Sequence, residues 1–160
     1  MAVALIGGSV APASGAPPAA TPFPEASPVA ADPCAALAPF FEQVATLAAD
    51  NKGLAIMQRA GHDVLALGDD EAVTVVTELD ALIASIDGID APEPARAWQA
   101  AYLALLRWYR DMAASRDPLA LQRIINNDRR LFGNLSTAQL QGQQACQETW
   151  DSAWSAAFGE

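Results

Sequence analysis

In the stretch PEPARAWQAAYLALLRWYRDMAAS, the apolar residues Ala95, Trp98, Tyr102, Leu105, Tyr109 and Met112 return at alternating steps of three and four. A strand would alternate with a period of two, so this spacing predicts an α-helix with one continuous apolar stripe. Leu106 and Trp108 widen the stripe. A helix opening near Pro94 and running to about Ala114 therefore has to pack on more than one neighbour.

Three further segments carry the same period. Asp32-Pro33 is a cap-plus-proline helix start, since Asp accepts from orphan N–H groups and Pro lacks the one that would go unpaired. Leu37, Phe40 or Phe41, Val44 and Leu47 follow it, with Pro39 expected to kink or restart the helix. Beyond Gly53, a weak point, the period resumes at Leu54, Met57, Ala60 and Val64. After Gly68, the stretch DDEAVTVVTELDALIASIDG places three acids in a first turn, where the helix dipole favours them. Its seam is Ala72, Val76, Leu79, Ile83 and Ile86, although the β-branched run VTVVT taken by itself would suit a strand.

Asp117-Pro118 repeats the helix-start signature ahead of Leu121, Ile124, Ile125 and Leu131, and Gly133 predicts a stop. Ser136-Thr137-Ala138-Gln139 has the form of a capping box opening a last helix with Leu140, Cys146, Trp150 and Trp154. Short links favour antiparallel neighbours. The expected fold is thus all-α: a compact up-and-down bundle of about four main helices, one or two of them broken, over residues 33–160.

Ahead of the bundle the composition changes. Seven of the chain's 11 prolines fall between Ala11 and Pro33, among Ala, Ser and Thr. Such a segment has too little apolar surface to offset its ordering entropy, so residues 14–32 are expected to be a disordered Pro/Ala-rich linker. MAVALIGGSVAPA resembles the later part of a secretory signal peptide, with a small-residue cleavage site, so residues 1–13 are expected to be its remnant. The run is too short and too interrupted by Gly7, Gly8 and Pro12 to span a membrane.

An exported chain gives its two cysteines a purpose. Cys34 sits at the first helix start and Cys146 in the last helix, and those helices are neighbours in an up-and-down bundle. A disulfide between them is expected, closing a loop of 112 residues.

Charge and inventory narrow the function. The net charge of −10 argues against nucleic-acid binding, which needs clustered Lys and Arg. Residues 1–93 carry 13 acids against Lys52 and Arg59, whereas residues 94–160 carry six acids against seven arginines, an asymmetry that could orient the chain toward a cationic partner, the simpler reading being a soluble acidic domain whose carboxylates face water. With a single histidine, no C-x-x-C pair, no glycine-rich phosphate loop and no G-x-S-x-G elbow, the chain offers no enzyme signature and no cofactor motif.

Three constellations remain. Trp98, Tyr102, Trp108, Trp150 and Trp154 could form a ligand or partner surface, the late aromatics otherwise serving as core. Arg107, Arg110 and Arg123 could hold an anion between helices, against the simpler reading of surface ion pairs. His62, Asp63, Asp69, Asp70 and Glu71 are the residue types for a metal, although acids at a helix start are explained by the dipole. The preferred reading is an exported, non-enzymatic domain that binds a protein partner. A small-ligand carrier with an aromatic pocket comes second, and a metal-dependent or acid-base enzyme centred on His62 third.

Overall fold

The computed structural model describes residues 32–115, Leu119, Gln122 and 128–159. The expected signal remnant and linker, and most of the segment opened by Asp117-Pro118, lie outside the described residues. Among those described there are five α-helices and no strand: α1 (Leu37–Ala49), α2 (Lys52–Arg59), α3 (Asp69–Asp87), α4 (Arg96–Ser115) and α5 (Asp128–Phe158). Short 3₁₀ turns at Val64–Ala66 and Glu93–Ala95 lead into α3 and α4. The all-α bundle expected from the periodicity is the fold.

Asp32 caps as its type predicts, its carboxylate accepting from the Cys34 N–H at 2.9 Å. What it caps is a turn, and the regular helix starts five residues later at Leu37. Pro39 supplies the reason, because it has no N–H to continue a helical ladder and fits only the first turn. From there α1 buries Leu37, Phe40, Phe41 and Val44.

The break between α1 and α2 is built on Asn51, a residue the periodicity does not single out. Its Oδ1 accepts from the Leu54 N–H and its Nδ2 donates to the Glu78 carbonyl of α3, both at 2.9 Å. One buried side chain thus caps α2 and ties it to α3. Gly53 serves the same contact: a Cβ there would lie 3.0 Å from the Glu78 Cβ and 3.2 Å from the Val75 carbonyl oxygen. The glycine that weakens α2 on propensity is what lets α2 approach α3.

α2 closes with two reciprocal bonds, Gly61 N–H to the Gln58 carbonyl at 3.0 Å and His62 N–H to the Met57 carbonyl at 2.9 Å. Gly61 takes the left-handed conformation that this ending requires, and His62 follows it with φ 63°.

α3 packs on α2 and α4, α4 on α5, and α5 on α1, so the first and last helices are neighbours. The α3 seam is turned slightly from the expected one: Val75 and Leu82 are buried, whereas Val76 and Ile83 are half-buried. The VTVVT run is helical throughout. Gln99 of α4 seals the lower end of α3 by donating to the carbonyls of Ile86 at 2.7 Å and Ile89 at 2.9 Å.

α5 corrects two expectations. Gly133 does not stop it and Ser136 does not start it; the helix runs through both, with the Thr137 hydroxyl donating back to the Gly133 carbonyl at 2.8 Å. Leu140, expected in the seam, is 57% exposed. The break falls instead at Cys146, whose φ of −136° and ψ of 25° leave the helical region. That cysteine is disulfide-bonded to Cys34 with Cα atoms 5.7 Å apart.

Candidate functional site

The aromatic residues expected to form a surface divide into two groups. Trp98, at 2% exposure, packs against Phe41 at 5.3 Å, Tyr102 at 5.1 Å and Trp154 at 5.6 Å between ring centroids. Trp150 is fully buried, 4.9 Å from Phe41. Their faces are spent on one another, in near-perpendicular pairs between α1, α4 and α5 that aromatic quadrupoles favour. Trp98 and Trp150 are core residues, the reading that their seam positions offered beside a ligand or partner surface. Trp108 stands apart, half-buried beside Tyr109 and Phe132.

Burial raises the Tyr102 phenol above the ordinary tyrosine value of 10.0, and the neighbouring Tyr109 adds to the shift. The unfolded chain therefore ionises first. Stability is at its full value below the unfolded tyrosine pKa and is lost as pH rises from there through the folded value. A near-ultraviolet phenolate titration is expected to show Tyr102 ionising later than free tyrosine, and Tyr102→Phe is expected to halve the late absorbance change, leaving the Tyr109 phenol that burial also raises.

The arginines meet carboxylates of α3 in place of an open anion site. Arg107 lies 3.8 Å from Asp87, and Arg110 contacts Asp80 at 3.0 Å and Asp111 at 2.7 Å. The pairs with Asp87 and Asp80 link α3 to α4, the pair with Asp111 lies within α4, and each is worth at most about 1 kcal/mol at the surface. Arg123 lies outside the described residues.

The acidic constellation is also occupied with local work. Asp63 accepts from the Leu65 N–H at 3.0 Å. Glu71 accepts from the Gly68 N–H at 3.2 Å and from Arg59 at 2.7 Å, which together hold its carboxyl below the usual range, the backbone bond contributing more. The His62 ring lies 5.5 Å from that of Tyr109. Among the described residues no group of three or more His, Cys, Asp or Glu is placed to hold a metal ion.

The feature the residue types did not reveal is a groove between the start of α3 and the end of α4. Ala72, Val73, Val76 and Thr77 form one wall with Asp69 at its end, and Ala113 and Ala114 form the other, around a volume of about 340 Å³. Val73 is 66% exposed. Three small residues leave the two helices with a furrow they do not fill. The signal was present in VTVVT: a β-branched apolar residue on a solvent-facing helical position gains neither propensity nor burial within the chain. No protein-family model matches the chain, and comparisons with curated proteins and with solved structures likewise give no match.

Proposed function

We propose that this chain is an extracytoplasmic, non-enzymatic helical module that acts by binding another protein across the α3–α4 groove. The carrying observation is the groove itself, apolar along both walls and rimmed by the exposed Val73. The disulfide-bonded Cys34–Cys146 pair supports an oxidising compartment, where such bonds persist, and no helix among the described residues is long and apolar enough to cross a membrane. The signal-like first residues accord with export. The partner reading is favoured over a carrier because Trp98 and Trp150 pack on neighbouring rings.

A photoreactive residue placed at position 73 of the protein in its producing cell is expected to give a discrete adduct with another polypeptide. The same residue at position 148, an exposed site on α5, serves as the control. Equal yields from both positions would overturn the assignment of the binding face.

A further inference from the structure

The two ends of the Cys34–Cys146 bond sit in unlike surroundings. Cys146 is 7% exposed and shares the buried stripe of α5 with Gly142 and Trp150, four residues to either side. Cys34 is half-buried at the edge of the core, in the turn ahead of α1, where Asp32, Pro33, Ala35 and Ala36 are exposed. A thiolate opens a disulfide by approaching one sulfur from outside, so access decides which sulfur it meets.

The turn is bonded mostly to itself. The Cys34 N–H donates to the Asp32 carboxylate at 2.9 Å, the Ala35 N–H to the Asp32 carbonyl at 3.2 Å and the Leu37 N–H to the Cys34 carbonyl at 3.1 Å. Among the described residues its links to α5 both run through the Cys34 sulfur: the disulfide, and an approach to the Ala145 carbonyl oxygen at 3.9 Å. Full burial begins at Leu37, and beyond it α1 meets α5 through Phe41 against Trp150 and Trp154. Opening the bond removes the anchor of the turn and leaves that ring packing in place, which is the condition for a local opening.

We propose that Cys34 is a thiol-exchange site and that its bond is a redox clasp, releasing residues 32–36 from α5 while the bundle from Leu37 onward stays folded. The thiolate of an external thiol bonds to the Cys34 sulfur, the S–S bond breaks, and the Cys146 sulfur leaves with the electron pair and takes up a proton. A second external thiol attacks the external sulfur of this mixed disulfide and frees Cys34 as a thiol. Two external thiols thus end as one disulfide while the protein's own is reduced. The chain has no third cysteine, so the attacking thiol comes from another molecule.

The test treats the folded, oxidised chain with glutathione, caps the released thiol with iodoacetamide and maps both groups by peptide mass. Glutathione is expected on Cys34 and the cap on Cys146. Hydrogen exchange on the opened form should show the amides of residues 34–37 losing protection while those of residues 147–154 stay slow. The free Cys34 left by Cys146→Ser is expected to react with an aromatic disulfide reagent about tenfold faster than the free Cys146 left by Cys34→Ser, following exposure.

Glutathione on Cys146 overturns the proposal, as does a bond that exchanges only in denaturant. Protection lost around Trp150 together with the turn also overturns it and makes the bond a staple of the whole fold. Equal thiol rates in two folded variants overturn the preference for Cys34, and if either variant melts early the wild-type peptide map decides.

Discussion

Replacing Gly142 with alanine is expected to destabilise the protein by about 3 kcal/mol, the upper end of the usual cost of overpacking. A Cβ at this position would overlap the Trp150 ring at Cζ3 and Cη2. Trp150 is fully buried against Phe41, so the ring cannot swing away without opening the core. In a straight helix, Cα atoms eight residues apart are separated by about 12 Å, too far for this contact. The non-helical Cys146 lies halfway between them and kinks α5 there. Gln143 crosses the same bend, donating to Asp151 at 2.8 Å.

Propensity and packing disagree in sign at Gly142, so the experiment is decisive. Alanine gains about 1 kcal/mol over glycine in a helix interior. A urea melt should nevertheless show Gly142→Ala less stable, with Gly133→Ala as the control. Nothing lies within 4 Å of a Cβ at Gly133, so that substitution is expected to stabilise the protein. If both variants gain stability, the Gly142–Trp150 contact does not exist in solution.

Breaking the Cys34–Cys146 bond is expected to cost about 4–5 kcal/mol, the chain-entropy value for so long a loop. The tie joins the turn ahead of α1 to the bend of α5, and it closes 112 residues. Both parts of the fold meet at Phe41, which contacts Trp98, Trp150 and Trp154. Cys146→Ser and reduction of the wild type should therefore lower the denaturation midpoint by the same amount. An unchanged midpoint in reductant would mean that the bond contributes nothing to the folded state. A fall in Cys146→Ser alone would assign the loss to the substituted side chain.

Much of the architecture was legible before any coordinates. The three-four period of Trp98, Leu105 and Met112 located α4 almost to the residue, because a long, uninterrupted stripe has one geometric solution. The disulfide was legible because two cysteines allow one intramolecular pairing. Boundaries governed by local chemistry were less so: Gly133 and Ser136 carry stop and start signals that packing overrides, since Ala138 is buried and Leu135 packs against the core. Asn51 was readable as a cap type, yet its second bond, to Glu78, depends on where α3 lies.

The candidate site was the least legible part. Trp and Tyr at seam positions signal apolar burial, but whether they line a pocket or close on one another depends on three helices at once. Arg107 and Arg110 found partners on α3, Asp87 and Asp80, 20 and 30 positions away along the chain, which no local pattern could supply.

The sequence by itself determined the helical class, the covalent tie and the acidic character of the first half, because periodicity, cysteine count and charge are properties of the chain in order. Only the tertiary structure decided that α5 bends at Cys146, that Trp98 and Trp150 are core, and that Val73 borders an apolar groove. Each of those depends on distances between residues remote along the chain, and a distance exists only once the helices have packed.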